Sequence, residues 1–265
     1  MGAVQMIQDI APHIYHNEYR PVPPSEDSLL LYFEKDQVLT GCREDALSFP
    51  RFRDLPEVRR ELSSKLLYLF SIDRITFYLA RQRPSFDPEQ FQMKNTRLFR
   101  DASPAWLSFA GITAHQLYHW YDSHRFCGHC GRPLIHSDQE RMLHCPDCKI
   151  TEYPKISPAV IVGILHKGRI LMSKYAGRTT THYALIAGFA EIGETIEETV
   201  HREVYEEVGL HVKNLQYYKS QPWSFSDSLL FGFFAELDGE DETITLDTRD
   251  IPDNIKTDEE IPGGL

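Results

Sequence analysis

The spacing of apolar and polar positions changes character along the chain. In the first hundred residues, short apolar runs alternate with turn-forming residues. Leu29–Phe33 precedes the polar Glu34-Lys35-Asp36, and Leu66–Phe70 and Ile75–Leu79 flank Ser71-Ile72-Asp73-Arg74, which predicts a β-hairpin. Pro21, Pro23 and Pro24 mark an irregular connection. From Pro104 to about Arg125, Trp106, Phe109, Ala110, Ile112, Leu117, Trp120 and Tyr121 recur at the spacing of one helical face. After a cysteine-rich stretch, Pro154 and Pro158 frame a short linker. Ala159–Leu165 then reads as a buried strand, Lys167-Gly168 as a tight turn, Arg169–Ser173 as a second strand and His182–Ala187 as a third. Thr195 is placed to cap a helix running to about Val208, with Glu197 and Glu198 in its first turn and Gly209 ending it in a left-handed conformation. These shifts divide the chain into an α+β region over 1–100, a helix and cysteine module over 101–153, an α/β domain over 154–250 and a polar, proline-punctuated tail over 251–265.

The chain has 265 residues, enough for two cores, and 42% hydrophobic with 25% charged residues is a globular composition. No apolar run approaches the roughly 18–20 residues that span a bilayer. The amino terminus lacks the basic and apolar regions of an export signal, and Met6 stands where a myristoylation signal wants Ser or Thr. The expected location is therefore the cytoplasm, with no membrane partner. With 28 basic against 39 acidic side chains the net charge is −11, which argues against extensive binding to a nucleic-acid backbone.

Cys127-Gly-His-Cys130 and Cys145-Pro-Asp-Cys148 form two C-x2-C knuckles separated by fourteen residues. Each knuckle turns two sulfurs toward one ion, and four thiolates suit tetrahedral Zn²⁺. Disulfides do not fit a chain without an export signal, whereas an iron–sulfur or redox centre stays open as a minor alternative. Four protein ligands leave no coordination position for substrate, so one structural zinc per chain is expected. Cys42 is read as an ordinary thiol, and His129, His136 and His144 as loop histidines.

The densest signal runs from Gly188 to Leu210, with Glu194, Arg202-Glu203, Glu206-Glu207 and Gly209 at fixed offsets. On a helix, Glu203, Glu206 and Glu207 share one face, and such carboxylates repel one another unless something neutralises them. Oxygen-rich clusters select Mg²⁺ or Mn²⁺, which compensate the charge of a diphosphate under attack. The 23-residue stretch matches every specified position of the Nudix signature, and the chain resembles the Nudix hydrolase superfamily. That resemblance implies an α/β class: a Nudix α/β/α sandwich with a mixed sheet, preceded by a small α+β domain and a zinc ribbon. It also implies that Glu203, Glu207 and the backbone carbonyl of Ala187 ligate the catalytic metal with help from Glu206. Arg202 then orients the glutamates, and Glu194 closes the loop against the helix.

Ten residues beyond this box, Ser220-Gln221-Pro222-Trp223-Ser224-Phe225-Ser226-Asp227-Ser228 resembles the S-Q-P-W-P-F-P-x-S array of the NADH pyrophosphatase branch. It matches at six of eight specified positions, with Ser224 and Ser226 replacing prolines. Bare residues allow Trp223 and Phe225 to be either core or a π-faced wall for a nicotinamide or adenine ring. The resemblance places Tyr153, Phe189 and Gln221–Ser228 around the nucleotide, and places Tyr153 at a homodimer interface. Where the family has a further metal-binding Glu, Asp250 is the nearest candidate, and the tail departs from the pattern. The implied activity is hydrolysis of NAD(H) to nicotinamide mononucleotide (reduced or oxidised) and AMP, extending to NAD caps on RNA 5′ ends. Alternatives are hydrolysis of another nucleoside diphosphate derivative such as ADP-ribose, and a Nudix-fold sensor without turnover. The intact carboxylates argue against the sensor.

Overall fold

The computed structural model describes residues 6–42, 46–55, 66–173 and 183–245. It divides into two compact units, Met1–Lys155 with Ser224–Asp227, and Ile156–Trp223 with Ser228–Leu265. Asp250 and the tail 251–265 lie outside the described residues.

The strands of the first unit are β1 (Tyr15–His16), β2 (Leu29–Leu31), β3 (Phe33–Glu34), β4 (Gln37–Gly41), β5 (Leu66–Ile72), β6 (Ile75–Ala80) and β7 (Phe91–Asn95). One sheet has the order β1-β5-β6-β2 and a second the order β3-β4-β7. β5 and β6 form the antiparallel hairpin that the alternation predicts, turning at Asp73, whose φ is 52°. Helix α1 (Ala105–Ser123) follows. Its Phe109, Ala110, Ile112, Ala114, Leu117, Trp120 and Tyr121 join Leu31, Phe70, Ile72, Phe77 and Leu79 in one core. At roughly 1.5–3 kcal/mol per large apolar side chain buried, this shared core is what holds α1 to the sheets.

Three short strands complete the first unit: β8 (Ile135–His136), β9 (Leu143–His144) and β10 (Thr151–Glu152), in the order β10-β9-β8. Two of the histidines expected in loops therefore lie in strands. His136 is also tied down, its Nε2 sharing a hydrogen bond with the Tyr121 hydroxyl at 2.8 Å.

The second unit contains β11 (Ser157–His166), β12 (Arg169–Ile170), β13 (Ile186–Phe189), α2 (Ile196–Val208), β14 (Val212–Trp223) and β15 (Ser228–Leu237). The sheet order is β12-β11-β15-β14, with β13 also pairing to β11. β11 runs parallel to β15 and the other pairs are antiparallel, so the sheet is mixed. Val160, Val162 and Ile164 alternate on the buried face of β11, as do Phe233, Ala235 and Leu237 on β15. Val200, Val204 and Val208, one helical turn apart, close the same core from α2. α2 is the one helical layer among the described residues of this unit.

Three boundaries differ from the expectation. Pro158 belongs to β11, where its carbonyl accepts from the Ala190 amide at 3.1 Å, rather than to a linker. The second strand stops at Ile170. Of the third, His182 lies outside the described residues, and among the described ones pairing with Ala159–Val162 selects Ile186–Phe189.

Candidate active site

Helix α2 is set by its ends. The Thr195 Oγ1 accepts from the Glu198 amide at 3.1 Å, and the Glu198 carboxylate accepts from the Thr195 amide at 2.7 Å. This reciprocal capping box satisfies donors that the first turn leaves open. At the other end Gly209 sits at φ 72°, a left-handed position that glycine reaches without a Cβ clash, and its amide donates to the Tyr205 carbonyl at 2.8 Å.

Between strand and helix, Arg202 gathers the loop. Its Nε donates to Glu194 Oε1 at 2.5 Å and its Nη2 to Glu194 Oε2 at 2.9 Å, a bidentate pair. Nη2 also reaches the Phe189 carbonyl at 2.8 Å, and Nη1 donates to Glu203 at 2.7 Å and Glu206 at 3.0 Å. Glu194 further accepts from the Glu191 amide and the Thr199 hydroxyl, both at 3.0 Å. The guanidinium first, and the Glu191 amide next, hold the Glu194 carboxyl down at about 2. The same carboxylates push the Arg202 pKa upward, Glu194 foremost, so the guanidinium stays charged. Sequence reasoning missed Thr199 and the Phe189 carbonyl. The helical spacing of Thr199 to Arg202 was the available signal.

The carboxylate of Glu203 lies against Gly188 of β13, whose missing side chain makes room for it. A Cβ built there would fall 2.0 Å from the Glu203 carboxylate. Glu207 is partly buried, and burial first, then the Glu203 charge, raises its pKa to about 6 against the pull of a hydrogen bond from the Ala187 backbone. Ala187, Gly188, Glu203 and Glu207 are therefore neighbours, with Glu206 on the more exposed flank at 44% side-chain exposure. The donors are all oxygen, and Glu207 is held in a position where its own negative charge is unfavourable. Both features fit a hard divalent cation.

In the ribbon, the four cysteine sulfurs lie within 4.8 Å of one another. The two knuckles repeat each other bond for bond. The Cys127 amide donates to the Arg132 carbonyl at 2.7 Å, and the Cys145 amide to Ile150 at 2.9 Å. Gly131 and Lys149 donate back to Cys127 and Cys145 at 2.9 and 3.1 Å. Gly131 (φ 73°) and Lys149 (φ 61°) occupy the same left-handed position. Arg132 bridges to Asp147 of the other knuckle at 3.0 Å. The Cys148 amide draws the Cys145 thiol down to about 7, while Cys130 and burial push Cys148 up to about 12. Four thiols packed this closely compete for protons, a conflict that Zn²⁺ resolves by replacing them.

The expected nucleotide-binding residues divide between the units. In the first, Tyr153 is 55% exposed and donates to Glu140 at 3.1 Å. Phe225 packs on the first core, with the Arg100 guanidinium 4.7 Å from its ring centroid. Ser224 is buried, Ser226 is exposed, and Asp227 takes φ 54° in the turn. In the second unit, Phe189 is 53% exposed. Gln221, Pro222 and Trp223 are half-buried at the end of β14, opposite Leu230, Leu229 and the buried Ser228. Trp223 is thus neither a core residue nor a free surface one.

Comparison with known proteins gives two family matches. The NUDIX domain matches residues 155–256, and the NADH pyrophosphatase zinc ribbon domain matches residues 122–153. The chain is 47% identical over 132 residues to the NAD-capped RNA hydrolase NudC of Chromobacterium violaceum, covering 50% of each chain. It is 40% identical over 160 residues to that of Klebsiella pneumoniae, covering 60% of this chain and 61% of the other. The chain thus spans about half to three-fifths of the length of these relatives. Among solved structures, a NUDIX hydrolase from Nitrosomonas europaea is similar with 23% identity and a TM-score of 0.37, over 44% of this chain and 69% of the other.

Proposed function

We propose that this chain, a Nudix domain carried behind an NADH pyrophosphatase zinc ribbon, hydrolyses the diphosphate of NAD(H) to nicotinamide mononucleotide and AMP and removes NAD caps from RNA 5′ ends. The observation that carries the reading is the Arg202-centred carboxylate face, packed against Gly188 on a capped helix. Glu203, Glu206, Glu207 and the Ala187 carbonyl would hold Mg²⁺ or Mn²⁺, which supplies charge compensation for the diphosphate and polarises its phosphorus. Arg202 keeps Glu203 and Glu206 in register with the loop, and Glu194 keeps Arg202 in place, so the face is ordered before substrate arrives.

Trp223, Phe189 and Tyr153 each offer an aromatic face suited to a nicotinamide or adenine ring, and the resemblance adds Gln221, Pro222 and Ser224–Ser228 as substrate-binding residues. We assign the working form to a homodimer, as the resemblance of Tyr153 implies. Among the described residues no helix is long and apolar enough to cross a membrane. Four clustered free thiols suit a reducing compartment, the cytoplasm.

The test is product analysis after incubation with Mg²⁺ or Mn²⁺ and NADH, NAD⁺, ADP-ribose or diadenosine polyphosphates. AMP and nicotinamide mononucleotide as the fastest-formed products support the reading. Faster turnover of ADP-ribose or diadenosine polyphosphates, or no turnover, overturns it.

A further inference from the structure

A second group of ligating side chains lies in the first unit, away from the thiols. Asp36 stands in the β3–β4 turn, and His115 and His119 are one helical turn apart on α1. One ligating atom from each lies within 4.8 Å of the other two. The i, i+4 spacing puts both imidazoles on one face of the helix, with ring centroids 4.0 Å apart. The turn is fixed to the helix by two bonds: the Lys35 amide donates to the Tyr118 hydroxyl at 3.3 Å, and His115 Nε2 donates to the Lys35 carbonyl at 3.1 Å. Phe33 packs on both His115 and Tyr118, at 5.1 and 5.3 Å between centroids.

We propose that Asp36, His115 and His119, none of them a residue of the ribbon thiols or the glutamate face, form a site for a first-row transition-metal ion. The buried His115 is prepared for it. Donating Nε2–H to a backbone carbonyl fixes the neutral tautomer, leaves Nδ1 as the acceptor nitrogen and orients the ring, the outer-shell arrangement that metal-ligating histidines use. Two imidazoles with one carboxylate favour Ni²⁺, Co²⁺, Cu²⁺ or Zn²⁺ over Mg²⁺, whereas the all-oxygen glutamate face favours the reverse. Asp36 and His119 are exposed, and Asp36 lines a cleft of about 840 Å³ with Arg81, Tyr118 and Arg125. The remaining coordination positions are therefore open to water or a small ligand.

The experiment is calorimetric titration of zinc-replete full-length protein with Ni²⁺ in millimolar Mg²⁺, which occupies the glutamate face. One Ni²⁺ per chain should bind with zinc content unchanged. His119→Ala and Asp36→Asn, both at exposed positions, should each weaken it at least about 100-fold, beyond the loss typical of an outer-shell change. His16→Ala, on a partly exposed histidine elsewhere in the unit, should leave it intact. Absence of this Ni²⁺ in the wild type, displacement of ribbon zinc as its source, or equal affinity in His119→Ala and Asp36→Asn overturns the assignment. Because both variants sit on the surface, wild-type zinc content and melting temperature are required of each, and His119→Gln serves as a second test of the same ligand.

Discussion

Gly188→Ala is the sharpest probe of the proposed active site, because it changes no charge and removes no ligand. The added methyl would lie 2.0 Å from the Glu203 carboxylate, against an ordinary contact of 3.4 Å or more, so the carboxylate must retreat by about 1.4 Å. It cannot do so while keeping its 2.7 Å bond to Arg202 Nη1. Displacing a positioned catalytic group by about 1 Å costs on the order of 10²-fold in rate, and that loss of turnover on NADH is the expected result. Stability should fall modestly. Replacing a strand glycine gains about 0.4–1 kcal/mol through the unfolded chain, and weakening the charged hydrogen bond of a Glu203 side chain only 13% exposed costs about 1.5–3 kcal/mol. The net loss of about 1–2 kcal/mol should lower the melting temperature by roughly 2–8 °C. The assay is steady-state NADH hydrolysis beside a thermal melt, for Gly188→Ala, Glu203→Gln and the double variant. Because both changes act on one carboxylate, the double variant should be little worse than Glu203→Gln alone. Full turnover in Gly188→Ala would refute the reasoning, as would strictly additive losses.

Glu207→Gln should lower turnover on the order of 10²-fold with the fold intact. Glu198→Gln, whose side chain serves the Thr195 capping box, should leave turnover unchanged and cost at most about 1 kcal/mol in a melt. The folded pKa of Glu207 is raised from 4.5 to about 6, so its contribution to stability is present below about 4.5 and lost as pH rises through 6. Melts in chelator across this window should show the slope in the wild type, and Glu207→Gln should flatten it. Cys127→Ser, or zinc removal, should destabilise folding without altering the products, and metal analysis should find about one zinc per chain. Trp223→Ala should weaken NADH binding by roughly 1–3 kcal/mol and spare a small diphosphate without a stacked ring. Uniform loss with a large fall in melting temperature would return Trp223 to a packing role. With a net charge of −11, cleavage of NAD-capped RNA should show a shallow salt slope, about −2 in log–log form for some three phosphate contacts.

The sequence by itself determined whatever depends on local spacing. The cysteine knuckles, the cap at Thr195, the left-handed Gly209 and the shared face of Glu203, Glu206 and Glu207 all follow from offsets of a few residues. The β5–β6 hairpin and α1 were legible for the same reason. What needed the tertiary structure was every relation across the chain. Partner choice starts β13 at Ile186, and parallel pairing with β15 draws Pro158 into β11. The fit of the Glu203 carboxylate over Gly188 depends on how α2 packs against that sheet. The rise in the Glu207 pKa comes from burial, which no offset encodes. His115 and His119 stand at visible helical spacing, yet the carboxylate that completes their group comes from Asp36, 79 residues before His115. Local patterns fix backbone conformation, whereas electrostatic environment and ligand convergence are properties of packing, and only the folded chain brings those groups together.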